Sequence, residues 1–247
     1  RGSLVLSDDG QHYAYLAEPQ SFRNIAVYDG KPGKIYKDIV EGSLAISPDG
    51  RHWGYAVEDF RDYYIVLDGK EGKRYQGITG PVYSPDSKRV GYLALANGKV
   101  FSVVDGVEGK AYDDRGRPVF SPDGKSAAYW AESGSKRFIV AGGVAQKSYD
   151  DVGSPKFSAD GSRLVYLAKQ GEKWLVVDNG REGKAYDDLL GSLYFSDDNQ
   201  RLAVIALEGE GQRVVVNGVE GPLYDAIVNF DGGTIHFDEG QGLHYDA

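Results

Sequence analysis

The stretch Phe120-Ser121-Pro122-Asp123-Gly124-Lys125-Ser126-Ala127-Ala128-Tyr129 contains one copy of a motif that recurs along the whole chain. Each copy has a serine, an Asp two residues later, and then a Gly, Ser or Asn. The copies lie at 7–10, 47–50, 84–87, 121–124, 158–161 and 196–199, with serine spacings of 40, 37, 37, 37 and 38 residues. Self-similarity at a period of this length is typical of repeat architectures, so the motif decides the fold class.

A second marker, Asp-Gly-x-x-Gly-x-x-Tyr, follows the first in most repeats. It lies at 29–36, 68–75 and 105–112, and looser forms span 178–186 and 217–224. The fourth repeat keeps Tyr149 but has Ala141 in place of the Asp. Both markers are turn sequences, because Pro presets φ, Asp bonds back to the backbone and Gly accepts a positive φ. We therefore expect a tight turn at each marker.

Four short strands are predicted in each repeat, because β-branched and aromatic residues lie between the turns. In the second repeat the strands are 44–46, 53–57, 64–67 and 73–75, with 68–72 linking the last two. The second strands do not alternate: those at 127–131 and 164–168 are apolar throughout, so both faces of each sheet should be covered. Few or no helices are expected, since no window keeps a 3.6-residue period. The sequence predicts an all-β fold, a β-propeller of four-stranded antiparallel blades.

The markers predict a single β-propeller domain over residues 1–247. Its repeat units are about 3–42, 43–79, 80–116, 117–153, 154–190, 191–225 and a partial 226–247. Seven blades with the last incomplete are favoured, because Tyr245-Asp246-Ala247 continued into Arg1-Gly2-Ser3 mimics the internal junction 112–116. Ends that mimic a junction suggest that the termini meet and leave no open edge. A six-bladed ring with an accessory hairpin is the alternative.

The last residues can be aligned with the repeat in two ways. Residues 238–245 match the third and fourth strands of a blade, with Gly242 in place. Alternatively, 235–237 and 243–245 form the first hairpin of a seventh blade.

Composition argues against several classes of partner. The net charge is −9, from 28 Lys plus Arg against 37 Asp plus Glu, so no nucleic-acid binding is expected. The longest apolar stretch, 202–207, is far shorter than a membrane helix, so no membrane insertion is expected. Cys and Met are both absent, which indicates a chain that begins inside a longer gene product or has been processed. A thiol-free chain fits an exported protein, in the periplasm or outside the cell, with the cytoplasm as the alternative.

The motifs do not form a catalytic or metal-binding constellation. The nucleophile elbow Gly-x-Ser-x-Gly is missing, and serines such as Ser47 and Ser121 are predicted to brace turns. His12 and His52 lie where other repeats have Arg or Ser, which predicts a solvated strand start. His236 and His244 could face one another, but zinc needs three or four ligands. No cofactor or metal is expected, and the sequence favours a protein that is not an enzyme.

The loops between second and third strands vary more than the other turns, which is how a rigid scaffold presents recognition residues. Aromatic and Arg residues in such loops favour interface hot spots. The candidate binding residues in these loops and at the repeat junctions are Phe22, Arg23, Phe60, Arg61, Tyr63, Arg115, Arg117, Arg137 and Trp174. Tyr63 and Trp174 could instead begin third strands and belong to the core.

The motif at 120–129 resembles the repeat of TolB-like, Trp-Asp-repeat-like bacterial propellers, and the likeness covers nearly the whole chain. That resemblance implies a protein-binding scaffold of the bacterial envelope, or an accessory domain of a prolyl-oligopeptidase-type peptidase. No hydrolase domain accompanies the repeats, and the closing Trp-Asp dipeptide of eukaryotic repeats is missing.

Three functions are therefore compatible with the sequence. The favoured one is a non-catalytic scaffold, a monomer or weak oligomer, that binds a protein or peptide on its loop-rich face. The alternative is an enzyme, or a binder of a small ligand such as a carbohydrate, with its site at the central pore. Glu41, Glu58 and Glu132 are the candidate acid/base groups for that site. The third is a purely structural propeller without a ligand.

Overall fold

A computed structural model describes residues 4–227, 236–237 and 243–244. Throughout this part of the chain the regular elements are β-strands, and none of it forms a helix long and apolar enough to cross a membrane. The chain divides into two compact units, 1–134 with 141–143, and 135–140 with 144–247. The division falls in the fourth repeat, at the turn that joins its second strand to its third.

The first unit contains one complete antiparallel sheet for each of the first three repeats, numbered here by repeat. Sheet 1 consists of β1 (Leu4–Leu6), β2 (Tyr13–Gln20), β3 (Arg23–Tyr28) and β4 (Lys31–Tyr36). Sheet 2 consists of β5 (Asp38–Ile39), β6 (Ala45–Ile46), β7 (Trp53–Asp59), β8 (Asp62–Leu67) and β9 (Lys70–Glu71). Sheet 3 consists of β10 (Gly77–Ile78), β11 (Val82–Tyr83), β12 (Val90–Ala96), β13 (Lys99–Val104) and β14 (Val107–Glu108). The fourth repeat adds β15 (Asp114–Arg115), β16 (Val119–Phe120) and β17 (Ala127–Ser133).

The second unit begins with the remaining strands of the fourth repeat, β18 (Lys136–Ala141) and β19 (Val144–Tyr149). Sheet 5 consists of β20 (Asp151–Val152), β21 (Lys156–Phe157), β22 (Leu164–Gln170), β23 (Lys173–Asp178) and β24 (Arg181–Tyr186). Sheet 6 consists of β25 (Asp188–Phe195), β26 (Leu202–Glu208), β27 (Gly211–Val216) and β28 (Val219–Glu220). A hairpin of β29 (His236–Phe237) and β30 (Leu243–His244) follows. These repeated antiparallel sheets are the blades of a β-propeller, which confirms the predicted fold class.

The inner strand of sheet 2 is longer than predicted and consists of two segments. β5 pairs with the far end of β7, with Ile39 opposite Val57, and β6 pairs with its near end. Between them, the Ser43 hydroxyl donates to the Val40 carbonyl at 2.6 Å and accepts the Ala56 N–H at 3.0 Å. A side chain thus replaces a backbone partner where the strand is interrupted. The predicted strand at 44–46 is only the second of these segments.

The outer strand of sheet 2 starts earlier than predicted. Asp68 and Gly69 have φ of 48° and 77°, and a two-residue turn with both φ values positive matches the twist of the flanking strands. Pairing therefore resumes at once in β9, with Leu67 opposite Lys70. The link predicted at 68–72 is wrong, because only two residues are needed. Tyr75 then forms a separate bridge with Tyr63.

The hydrophobic cores lie between neighbouring sheets. In β7, the side chains of Tyr55 and Val57 belong to the cluster shared with sheet 1. Ala56, between them, belongs to the cluster shared with sheet 3. Successive strand residues point to opposite faces, so both faces of sheet 2 are covered, as the non-alternating second strands predict. Burial of each such large apolar side chain contributes about 2 kcal/mol.

β29, the first strand of the last hairpin, packs against sheet 6 as the first strand of a blade would. β29 pairs with β30, with His236 opposite His244, and Phe237 packs against Ala203 and Val214 of sheet 6. The Arg201 guanidinium carbon lies 4.4 Å from the Phe237 ring centroid, and the same contact joins Arg163 to Phe195 at 5.3 Å in the preceding repeat. This favours the alignment in which 235–237 and 243–245 form a first hairpin. The blade count of six or seven, the closure by the termini and the single domain depend on residues outside those described, and they remain predictions.

Candidate functional site

The turn that joins β7 to β8 exposes an aromatic ring on a strained backbone. Phe60 follows Asp59, has a φ of 60° and is 79% exposed. Three other repeats have glycine at this position, Gly134, Gly171 and Gly209, with φ of 62–63°. The left-handed region costs about 1 kcal/mol or more for a residue with a Cβ. Phe60 therefore occupies a left-handed position that three other repeats fill with Gly and that the third repeat fills with Asn97, whose φ is 52°.

The equivalent turn of sheet 1 has the same feature. Phe22 is the second residue of the turn between β2 and β3, has a φ of 60° and is 82% exposed. Its backbone N–H donates to Glu18 Oε1 at 2.8 Å, which fixes the turn. Two consecutive repeats thus place an exposed Phe at a positive φ in the hairpin between second and third strands.

A lysine lies against the Phe60 ring. Lys37, between sheets 1 and 2, places Nζ 4.5 Å from the ring centroid. The Lys37 carbonyl accepts a hydrogen bond from the Asn24 side chain at 3.1 Å, which ties this segment to β3. The residue before Phe60 is also paired, since Asp59 Oδ2 lies 3.4 Å from Arg74 Nη1. A cation–π contact at an exposed site is worth about 0.5–1 kcal/mol, so the ring is held at the surface.

The other residues predicted in these loops divide into exposed and packed ones. Arg23 and Arg61 are exposed and follow Phe22 and Phe60 directly in the sequence. Tyr63 lies in β8 and is half-buried, and a hydrogen bond to Glu58 raises its pKa. Trp174 lies in β23 opposite Tyr186 and packs against the core of sheets 5 and 6. Tyr63 and Trp174 therefore lie at the starts of third strands, which is the alternative to a loop position that the sequence left open.

The remaining candidates lie in the fourth repeat. Arg137, in β18, places Nη1 2.8 Å from Asp151 Oδ1. Arg117 is exposed between β15 and β16. The placement of Arg115 in an exposed junction loop is wrong: it lies in β15 and is 3% exposed. Its guanidinium stacks on the Tyr129 ring at 4.3 Å, so sequence reasoning mistook a strand position for a loop.

The repeated serines brace their turns, as predicted. The hydroxyl of Ser47, which is fully buried, donates to Asp49 Oδ1 at 2.7 Å and accepts the His52 N–H at 3.0 Å. Asp49 Oδ1 also accepts the Arg51 N–H at 3.1 Å. The hydrogen bond from Ser47 is the main cause that lowers the Asp49 pKa. The same serine–aspartate bond recurs at Ser7, Ser84, Ser121, Ser158 and Ser196.

His12 and His52 lie directly before β2 and β7 and both reach solvent, as predicted, but each imidazole also pairs with an aspartate, which the prediction did not include. His12 Nδ1 lies 2.7 Å from Asp29 Oδ2, and His52 makes the same contact with the aspartate of its own Asp-Gly turn at 2.8 Å. The sequence carries a signal for this pair: the fourth repeat loses the Asp, as Ala141, and has Ser126 at the basic position.

A contact between successive repeats was missed altogether. Glu71 of sheet 2 accepts Lys34 Nζ at 2.6 Å and the Tyr36 hydroxyl at 3.1 Å, both from sheet 1. The hydrogen bond from Lys34 is the main cause that lowers the Glu71 pKa, while burial raises that of Tyr36. We call this arrangement the Lys–Glu–Tyr joint. It recurs at Lys73–Glu108–Tyr75, Lys147–Glu182–Tyr149 and Lys184–Glu220–Tyr186. A Glu that follows each marker Lys by 35–37 residues was the signal in the sequence.

Grooves between neighbouring sheets follow these joints. One of about 320 Å³ lies between sheets 5 and 6 and is lined by Glu182, Lys184 and Tyr186. One of about 590 Å³ lies between sheets 2 and 3, with Glu71, Lys73, Tyr75 and Glu108. Within the described residues, no group of three or more His, Asp or Glu side chains could hold a metal ion.

Comparisons with known proteins find similar folds only. No family model matches the sequence, and a search of curated proteins finds no match. The β-propeller domain of the Trilobed protease from Pyrococcus furiosus is 14% identical over 96% of this chain and 89% of its own, with a TM-score of 0.47. TolB from Acinetobacter baumannii is 16% identical over 91% of this chain and 65% of its own, with a TM-score of 0.41. The Cps50 β-propeller domain from Myceliophteria thermophila is 12% identical over 90% and 85%, with a TM-score of 0.40.

The chain is thus similar to TolB and to other β-propeller domains, and it spans less than two thirds of TolB. The propeller assignment itself rests on the chain's own repeated sheets. A propeller is a rigid scaffold whose loops carry binding residues, so the fold supports a scaffold or binding role.

Proposed function

We propose that this chain is a non-catalytic propeller scaffold that binds a protein or peptide through the hairpin turns of sheets 1 and 2. The observation that carries the proposal is the pair Phe22 and Phe60, each with a φ of 60° and about four-fifths exposed. Strained backbone that a protein retains on an exposed turn is a reason to suspect function. We also propose that the protein works in the periplasm or outside the cell, which fits its lack of cysteine.

The chemistry of the turns fits a peptide with apolar and acidic side chains. A partner's apolar side chain would bury the Phe60 ring, and exposed aromatic residues are frequent anchors of interfaces. Lys37 lies against the Phe60 ring, and the exposed Arg23 and Arg61, which follow Phe22 and Phe60 in the sequence, add positive charge. The whole chain has a net charge of −9, so these cations would attract an acidic peptide to the two turns rather than to the rest of the surface.

Selection from a random peptide library displayed on phage tests the proposal. Peptides enriched on the wild type should lose at least tenfold in affinity on Phe60→Gly and on Arg61→Ala. Phe60→Gly removes the ring and relieves the strain, so the free energy of unfolding should stay within about 1 kcal/mol of wild type. Loss of binding then cannot be ascribed to unfolding.

Val107→Ala is the matched control. Val107 is 70% exposed, but it lies in β14 beside an Asp-Gly turn. Truncating it should leave peptide affinity unchanged. Peptides that bind Phe60→Gly as well as wild type, or that lose affinity on Val107→Ala instead, would place the binding surface elsewhere and contradict the proposal.

A further inference from the structure

One position of the second strand holds a tyrosine in five repeats but not in the sixth. In sheet 2 this residue is Tyr55, which lies opposite Val66 of the third strand. In sheet 6 the residue at this position is Val204, which lies opposite Val215. Val204 therefore stands where the other repeats have an aromatic ring, at Tyr15, Tyr55, Tyr92, Tyr129 and Tyr166.

The second-strand tyrosine packs on the tyrosine of the preceding Lys–Glu–Tyr joint. At the interface of sheets 1 and 2, the Tyr55 ring lies edge-on to the Tyr36 ring, with centroids 6.0 Å apart, and the two hydroxyls form a hydrogen bond. The same edge-on contact recurs, at 6.4 Å, between Tyr149 and Tyr166. Tyr186 is the joint tyrosine of sheet 5, and Val204 offers it neither a ring nor a hydroxyl. The interface of sheets 5 and 6 thus lacks one phenol.

The cavity of about 320 Å³ between sheets 5 and 6 lies where this phenol is missing. Its lining includes Val204, Val215 and Tyr186, which are buried, each being 4% exposed. Arg181 and Lys184 also line the cavity and are exposed, so it opens to solvent on their side. A small molecule can therefore enter and reach the residues that the missing ring would cover.

The corresponding groove between sheets 2 and 3 shows what the ring does when it is present. That groove is lined by Tyr92, the counterpart of Val204. Its lining does not include Val103, the counterpart of Val215, although both valines lie directly opposite the compared positions. The Tyr92 ring thus closes off the apolar interior that stays open between sheets 5 and 6.

Two ion pairs in the walls of the cavity favour a ligand without charge. Arg163 Nη2 lies 2.5 Å from Asp178 Oδ2, and both residues line the cavity. Lys184, in the same lining, has Nζ 2.6 Å from Glu220 Oε1. Because these charges already neutralise one another, an ionic ligand would lose its hydration without gaining a free partner. A neutral molecule avoids that cost.

We propose that the cavity between sheets 5 and 6 binds a small neutral phenol. The ring of the ligand would take the place of the tyrosine ring that Val204 lacks. Its hydroxyl would donate to the oxygen of Tyr186, whose own proton is donated to Glu220 Oε1 at 2.9 Å. Apolar cavities left by a missing side chain bind small aromatic molecules, and sites for small molecules start at about 300 Å³. This site is separate from the hairpin turns of sheets 1 and 2.

Titration calorimetry with p-cresol, which is the tyrosine side chain as a free molecule, tests the proposal at pH 7. The wild type should bind it with a dissociation constant of about 0.1–1 mM, and its melting temperature should rise with p-cresol concentration. Val204→Tyr, which installs the residue of the other repeats, should weaken this binding at least tenfold while the protein stays folded. Val144→Tyr, the same change at a position of β19 that is 70% exposed, should bind p-cresol as the wild type does.

A second ligand and a second variant test the hydroxyl contact. Toluene has the ring without the hydroxyl, so it should bind the wild type at least fivefold more weakly than p-cresol, and Tyr186→Phe should remove that preference. Equal binding of toluene and p-cresol by the wild type would overturn the assignment to a phenol. Undiminished binding by Val204→Tyr would overturn the location. No p-cresol binding by the wild type, even if a tyrosine-containing peptide bound at the cavity instead, would overturn the proposal as a whole.

Discussion

At the scale of single residues, one hydroxyl organises each turn between the first two strands. Ser47 is fully buried, and its Oγ both donates to Asp49 and accepts the His52 N–H. We expect Ser47→Ala to lower the free energy of unfolding by about 1–2 kcal/mol, since it leaves polar groups without their partner. Chemical denaturation measures this loss. Ser126→Ala is the control, because Ser126 is exposed and donates to Ser121 Oγ through its backbone N–H, which the substitution keeps; a loss equal to that of Ser47→Ala would contradict the assignment.

The residue scale also marks where sequence reasoning succeeds. Ser-x-Asp-Gly and Asp-Gly turns could be predicted, because the residues that bond to one another are neighbours in the chain. The burial of Arg115 could not, since it depends on a neighbouring strand, and the positive φ of Phe60 could not, since Phe is a residue type that rarely adopts it. Comparison of equivalent positions would have marked both: Arg115 stands among Ile, Val and Leu, and Phe60 among Gly and Asn.

At the scale of elements, neighbouring sheets are joined by ion pairs whose strength depends on pH. Lys34 lowers the pKa of Glu71 below its ordinary value of 4.5. A lowered pKa in the folded state stabilises the fold above the ordinary pKa, and that stability is lost as pH falls through the lowered value. Glu71→Gln should therefore reduce the melting temperature by about 2 °C at pH 7, a small effect because the pair is partly exposed.

The pH profile distinguishes this joint from general destabilisation. The difference in melting temperature between wild type and Glu71→Gln should shrink as pH falls below about 4, where the wild-type carboxylate is protonated as well. Glu172→Gln, at the exposed turn after Gly171, should match the wild type at every pH. A Glu71→Gln deficit that is constant from pH 7 to pH 3 would show that the ion pair does not carry it.

Strand pairs and joints differ in how far apart in the sequence their partners lie. The hairpins join residues within about fifteen positions, and their pattern was predicted from turn chemistry and apolar runs. Each joint connects residues about one repeat apart, such as Lys34 and Glu71, so no local pattern indicates it. Superposition of the repeats in sequence places a glutamate 35–37 residues after the lysine, and it shows Ala145 at that position in the fourth repeat. Long-range contacts become predictable here only because the chain repeats.

At the scale of the whole molecule, the stability of the fold at alkaline pH depends on tyrosines buried in the cores. Twelve tyrosines in the described part of the chain have a raised pKa, chiefly from burial, including Tyr55 and Tyr186, whose pKa rises to about 12. A raised pKa stabilises the fold fully below the ordinary value of 10, and that stability is lost as pH climbs above it. We therefore expect cooperative unfolding at alkaline pH.

Absorbance at 295 nm, which reports tyrosinate, measures this directly. In guanidinium chloride the eighteen tyrosines should ionise together near pH 10. In the native protein only the exposed minority should do so, and the rest should ionise in a single step that coincides with loss of the β-sheet signal in circular dichroism. The step is cooperative because several of these phenols lie in the clusters between neighbouring sheets, so ionising one weakens the packing around the next. If every tyrosine ionised reversibly near pH 10 with the circular dichroism unchanged, the phenols would have to face solvent, and the packing of sheet against sheet would be wrong.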